Sequence, residues 1–146
     1  PCANIAAGAR KGAVDMIQLI VCTHGRLAES FVETVGMIVG PQTASQISAI
    51  GMMPEDEPEA FEARARAILE THPDDQFLIC ADLFGASPCN TCISVFRSAD
   101  YRLITGVNLP LLIELIMNKD TSSLEELWEN AQKEGRDGIQ GIYLHT

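Results

Sequence analysis

His24 and Asp82 are the pair in this sequence whose types and settings could do chemistry together. His24 ends the apolar run IQLIVCTHG, Ile17–Gly25, at the point where a buried strand gives way to a turn. An imidazole acts as a nucleophile when one ring nitrogen keeps its lone pair and the other is held as a donor. A carboxylate facing the second nitrogen fixes that tautomer and raises the basicity of the first. Asp82 follows a second apolar run, and the loop Gly85-Ala86-Ser87-Pro88 comes just after it. Backbone N–H groups of Gly85 and Ala86, with the Ser87 hydroxyl, could hold an anion where that loop opens a helix. Nucleophile, orienting acid and anion cradle are the parts of phosphoryl transfer through a phosphohistidine. Each part also has a plainer reading. A histidine at a strand end is often structural, an aspartate there often forms a turn, and serine is a good helix N-cap.

Cys89 and Cys92 form a second candidate, a C-x-x-C at the start of a helix after a strand. That setting can lower a thiol pKa and build a thiol-disulfide redox site, while two small apolar fillers on one helix turn are the structural alternative. No further Cys or His pair completes four metal ligands, so neither a metal nor an organic cofactor is implied. His72 and His145 read as solvated bystanders, Trp128 as core or dimer packing, and Glu55–Glu59 as a solvated acidic turn.

The totals narrow the class of partner. Twenty acidic against ten basic residues give a net charge of −10. Nucleic-acid binding and adhesion to anionic membranes both depend on Lys and Arg, so this balance argues against them. It also means that a phosphorylated ligand must be held by local donors. The 146 residues suit one domain, and no apolar run reaches the roughly 20 residues of a membrane span. An odd number of cysteines, five, scattered in apolar runs reads as reduced thiols in a cytoplasmic protein. Residues 1–15 lack periodicity and read as an expression scar or a disordered extension, with Met16 as the natural start of a single domain over 16–146.

From Met16 onward, short β-rich runs alternate with helical segments. Strands are predicted at Ile17–Cys22, Ile47–Met52, Phe77–Ala81, Tyr101–Thr105 and Ile139–Leu144. Leu27, Phe31, Val35 and Ile38 recur at helical spacing, predicting a helix over Leu27–Val39 stopped by Gly40-Pro41. A second helix starts near Pro58 and carries Phe61, Ala65, Ile68 and Leu69 on one face, ending at His72-Pro73. Further helices are predicted at Pro88–Arg97 and Leu109–Asn118. A last one follows Ser122-Ser123, with glutamates at capping-box spacing, and ends near Gly135. Strands alternating with helices mean an α/β, doubly wound, mainly parallel sheet. Right-handed crossovers then bring His24, Asp82 and the turn Gly106–Asn108 to one rim.

Three motifs, LIVCTHG, ADLFGASPCN and TGVNLPLLIE, occur in this order after Met16. The chain resembles the mannose/fructose/sorbose-class enzyme IIA domains of the bacterial sugar phosphotransferase system. The resemblance implies that His24 accepts a phosphoryl group from the carrier HPr and passes it to the cognate enzyme IIB, with membrane permease components engaged indirectly. It further implies that Asp82 pairs with His24 and that Ser87 receives phosphoryl oxygens, with Thr23 and Asn108 in supporting roles. The family fold has four parallel strands and a C-terminal antiparallel strand exchanged in a homodimer; Ile139–Leu144 would be that strand. A binding or regulatory module that keeps the scaffold without transferring phosphate is the alternative, and intact His24 and Asp82 argue against it. Two positions depart from the family pattern. Ala86 replaces the second loop glycine, which strains the loop if positive φ is required there, and Cys89 replaces the usual aromatic.

Overall fold

The computed structural model describes residues 16–145; the reading of residues 1–15 therefore lies outside the described residues. Four strands, β1 (Ile17–His24), β2 (Ile47–Met52), β3 (Gln76–Ala81) and β4 (Tyr101–Thr105), form one sheet in the order β2-β1-β3-β4. All neighbours are parallel, with Leu19 beside Ile47, Ile17 beside Gln76 and Phe77 beside Tyr101.

Six helices connect and cover the strands: α1 (Leu27–Val39), α2 (Pro41–Ala44), α3 (Pro58–Thr71), α4 (Ser87–Phe96), α5 (Leu109–Asn118) and α6 (Leu124–Asp137). Period-two alternation along β1 sends Ile17, Leu19 and Val21 into a core shared with α1, α5 and α6. Ile20 and Cys22 point the other way, into a core with Phe61 and Ala65 of α3 and Cys89, Cys92 and Phe96 of α4. Both faces are thus covered, which is why the strands read as continuous apolar runs. The Phe77 and Phe96 rings pack with centroids 4.9 Å apart. Complete burial of such a side chain contributes roughly 1.5–3 kcal/mol.

The winding direction has a functional consequence. From β1 the chain crosses to β2 on one side, then passes back over β1 to β3 and on to β4. The reversal falls between β1 and β3, and the crevice at the carboxyl end of such a switch point is where open α/β sheets bind ligands.

Several boundaries differ from the sequence reading, for physical reasons. β1 runs on to His24 because Thr23 and His24 still pair with Gly51 and Met52. Gly40-Pro41 ends α1 as predicted, but Pro41 then starts the single turn α2, since proline suits a first helical position. In α1 the buried positions are Ala28, Val35 and Gly36; Leu27 and Ile38 of the predicted stripe are 45% and 56% exposed. Of the two serines before α6, Ser123 alone forms the capping box, with Glu126. α6 continues through Gly135 to Asp137, because the glycine is where α6 meets α5. A Cβ there would sit 3.1 Å from Leu111 Cδ1.

Ile139–Leu144 is not a strand in the single chain. It has no ladder partner among the described residues, and Ile139, Ile142, Tyr143 and Leu144 are each more than three-quarters exposed. A strand exists only through its hydrogen-bonded neighbour, and α6 delivers this segment to solvent rather than to a sheet edge.

Candidate active site

The switch-point crevice brings His24 and Asp82 together. His24 Nδ1 lies 2.8 Å from Asp82 Oδ2, and the His24 backbone N–H donates to the same oxygen at 3.0 Å. The other oxygen, Oδ1, accepts from the Leu83 N–H at 2.9 Å. On the β4 side, Gly106 N–H donates to the Asp82 carbonyl at 3.1 Å. Gly106 reaches that position with φ of 72°, a left-handed conformation that favours glycine. The carboxylate is therefore fixed through both its side chain and its backbone.

Burial alone would push the Asp82 carboxyl up. The hydrogen bonds from His24 N–H, the His24 ring and Leu83 N–H, together with the His24 charge, outweigh it and hold the carboxyl below its ordinary value. An ionised carboxylate only accepts hydrogen bonds, so the His24 nitrogen facing it must donate. In the neutral imidazole the proton is therefore on Nδ1, and the Nε2 lone pair is left free. The imidazole is 51% exposed while the Asp82 side chain is 13% exposed, so the carboxylate lies behind the ring and the ring faces solvent. Among the described residues nothing bonds to Nε2.

The loop after Asp82 brings the other expected residues to the same rim. Gly85 takes φ of 74°, and Ala86 is extended at φ −79°, ψ 167°. The left-handed residue is thus Gly85, and the Ala86 departure introduces no strain. Ala86 is the N-cap of α4, and no side chain caps that helix. Ser87, its first residue, is exposed. Leu83 and Phe84 beside it are 61% and 84% exposed.

Two expected site residues have other work. Thr23 does not reach the rim. It is fully buried, and its hydroxyl accepts from the Ala28 N–H at 2.8 Å, satisfying an otherwise orphaned donor in the first turn of α1. Asn108 caps α5 by accepting from Leu111 N–H at 3.1 Å, and its Nδ2 donates to the Gly135 carbonyl of α6 at 2.8 Å. Both support the scaffold and neither faces His24 Nε2.

The C-x-x-C pair is closed to solvent. Cys89 and Cys92 are completely buried in the α3–α4 core. The thiol of Cys22 interacts with that of Cys92, and this contact together with burial drives Cys22 far above the ordinary thiol range. Burial does the same to Cys80. Cys89 and Cys92, inaccessible in this core, are packing groups rather than redox nucleophiles. Among the described residues no group of three or more His, Cys, Asp or Glu converges to hold a metal.

Sequence reasoning missed the corner that meets His24 from the β2 side. Gly25 N–H donates to the Met52 carbonyl at 2.8 Å, and the Gly25 carbonyl lies directly over Gly51, where any Cβ would collide with it. Glycine at 51 is required by this close approach. Asp56, assigned to a solvated turn, is instead part-buried. It accepts from Met53 N–H at 2.9 Å and from Arg64 at 2.7 Å. Nothing local in the sequence marks it out from its acidic neighbours.

Comparison with known proteins identifies the family of the whole domain. The sequence profile described as "PTS system fructose IIA component" (EIIA-man) matches residues 18–132. The chain belongs to this family. It is a IIA domain of the sugar phosphotransferase system, of the mannose family, and its role is that of a transferase in a phosphoryl relay serving sugar transport. The sorbose-specific EIIA component of Klebsiella pneumoniae is 30% identical over 118 residues, 80% of this chain and 85% of that protein. The mannose-specific EIIAB component of Escherichia coli (strain K12) is 30% identical over 131 residues, 86% of this IIA domain but 39% of that longer protein. Among solved structures, the mannose/sorbose-specific IIA subunit from Enterococcus faecalis superposes with a TM-score of 0.81. Its identity is 28%, and the match covers 90% of this chain and 98% of that one.

Proposed function

We propose that this IIA domain carries the phosphoryl group on His24 Nε2, taking it from phospho-HPr and giving it to the cognate enzyme IIB. The observation that carries this reading is the 2.8 Å contact between Nδ1 and a carboxylate behind an exposed ring. In the forward step the Nε2 lone pair attacks phosphorus, an N–P bond forms, and the donor's N–P bond breaks with its electron pair returning to the donor. The proton on Nδ1 stays in place, so the phosphorylated ring is cationic and Asp82 stabilises it. Transfer to IIB reverses these roles. The transferring group bears its charge on three oxygens, and the protein's contribution is placement and charge stabilisation. Ser87 Oγ, with backbone N–H groups of the Gly85–Ala86 loop and the first turn of α4, is suited to receive those oxygens. Exposed Leu83 and Phe84 offer apolar surface to the incoming partner. The name of the relative from Escherichia coli pairs A and B components, which supports IIB as recipient.

The reading extends to assembly and place. Among the described residues β4 has an open outer edge, and the exposed apolar segment Ile139–Leu144 lacks a partner. Pairing between two copies would satisfy both and make a homodimer. No helix among the described residues is long and apolar enough to cross a membrane, and Cys22, Cys80, Cys89 and Cys92 are unbridged. Unbridged thiols fit a cytoplasmic site of action.

The test is incubation with phosphoenolpyruvate, enzyme I and HPr, followed by mass-spectrometric mapping. One acid-labile, base-stable phosphoryl group on His24, absent from His24→Ala, is expected. Modification elsewhere, or none in the wild type, would contradict the proposal.

A further inference from the structure

Asp82 holds the imidazole from the β3 side, but the backbone that carries His24 is held from the β2 side, and there the arrangement converges on Arg64. One guanidinium nitrogen, Nη2, donates to the Gly51 carbonyl at 2.9 Å and to Asp56 Oδ2 at 2.7 Å. The same Asp56 oxygen accepts from Met53 N–H at 2.9 Å. Arg64 thereby clamps both ends of the segment Gly51–Met53. Met52, in the middle, is the ladder partner of His24, and its carbonyl accepts from the Gly25 N–H at 2.8 Å. The Gly25 carbonyl rests on Gly51. The turn that follows His24 is therefore seated on a segment that Arg64 holds in place. Arg64 is itself anchored, with its guanidinium carbon 5.7 Å from the ring centroid of Phe61, a fully buried residue of the α3 core.

We infer that Arg64 is a positioning residue for phosphoryl transfer: by clamping Gly51–Met53 it fixes the turn at Gly25 and keeps His24 in register with Asp82. The inference rests on the phosphohistidine reading above. An Arg64–Asp56 pair at the surface contributes little to global stability, yet displacement of a reacting group by about 1 Å can slow a reaction on the order of 100-fold. Loss of the clamp should therefore show in the chemical step more than in folding. Both bonds come from one nitrogen, so a lysine ammonium has donors enough to make them. It lacks the planar guanidinium that anchors on Phe61, so part of the hold is lost.

The experiment uses the full chain as wild type, Arg64→Ala, Arg64→Lys and Asp56→Asn. Three readouts are taken: single-turnover transfer from phospho-HPr across donor concentrations, thermal melting, and imidazole 15N shifts of the unphosphorylated protein. For Arg64→Ala the expected result is a maximal rate lower by about 10-fold with the half-saturating donor concentration changed less than about twofold. The 15N shifts should move from a fixed Nδ1–H tautomer toward the mixture of a free imidazole. Asp56→Asn should fall between wild type and Arg64→Ala, and Arg64→Lys should recover part of the rate. Wild-type rates and shifts in a folded Arg64→Ala would overturn the inference, as would a change confined to half-saturation, which would make Arg64 a docking residue. If Arg64→Ala does not fold, the Lys and Asn variants decide by the same two criteria. A wild type that takes no phosphoryl group while Arg64→Ala still shifts the 15N signals would overturn the relay reading, and with it the role in transfer, while upholding the hold of Arg64 on His24.

Discussion

Two helices start from adjacent strands at the carboxyl edge of the sheet, and their first turns are built differently. α5 begins with a closed cap: Asn108 Oδ1 accepts from Leu111 N–H, and its Nδ2 reaches across to α6. α4 begins with Ala86, which has no side-chain acceptor, and Ser87, the first residue of the helix, stands exposed. Capping satisfies orphaned donors and contributes stability. Leaving α4 open forgoes that contribution at the one helix start that follows directly from the carboxylate behind His24. The contrast separates a rim position that holds the fold together from one that leaves donors free for a ligand, although both motifs look alike in sequence.

Substitutions can break or sharpen this contrast. The largest effect is expected at the open site. Asp82→Asn removes the charge behind the ring, and the transfer rate should drop on the order of 100-fold in a protein that still folds. A rate equal to wild type would remove Asp82 from the mechanism. Ser87→Ala should slow transfer by about 10-fold, in line with one weakened oxyanion contact, and leave the melting temperature unchanged. Asn108→Ala should do the reverse, costing about 1 kcal/mol of stability and leaving the rate within about twofold. If the two variants exchanged phenotypes, the division between open and closed helix starts would be wrong.

The smallest effect is a pH dependence. The Asp82 carboxyl lies below its ordinary value in the folded protein. Its stabilising contribution is therefore complete above the unfolded pKa of about 3.9 and is lost as pH falls through the lower native value. The gap in melting temperature between wild type and Asp82→Asn should narrow as pH falls through and below about 3.9. A constant gap would mean that the carboxylate is not held by these hydrogen bonds.

Much of this rim was legible in the sequence because a parallel sheet and right-handed crossovers follow from the alternation of strands and helices, while the strand order does not. His24 and Asp82 could be placed at the carboxyl ends of strands on one rim, and the helix starts near Pro58 and after Ser122-Ser123 follow from first-turn and capping chemistry. What sequence could not show was direction. Thr23 adjoins His24, yet it points inward to the α1 start, because its hydroxyl finds the Ala28 N–H. Cys89 and Cys92 have redox spacing, yet both fall on the buried face of α4. Gly135 looked like a helix stop and is a contact point between α5 and α6. Arg64 and Asp56 carry no motif, since their importance comes from where β2 ends relative to His24. The segment Ile139–Leu144 has a strand's composition, but pairing depends on a neighbour that local sequence does not specify.

The central claim is that Nε2 is the reactive nitrogen because Asp82 holds the proton on Nδ1. Phosphorus–nitrogen NMR of the phosphorylated, 15N-labelled protein tests it directly. The phosphoryl group should couple to Nε2, with Nδ1 still bearing its proton. A phosphoryl group on Nδ1, or on any residue other than His24, would contradict the account.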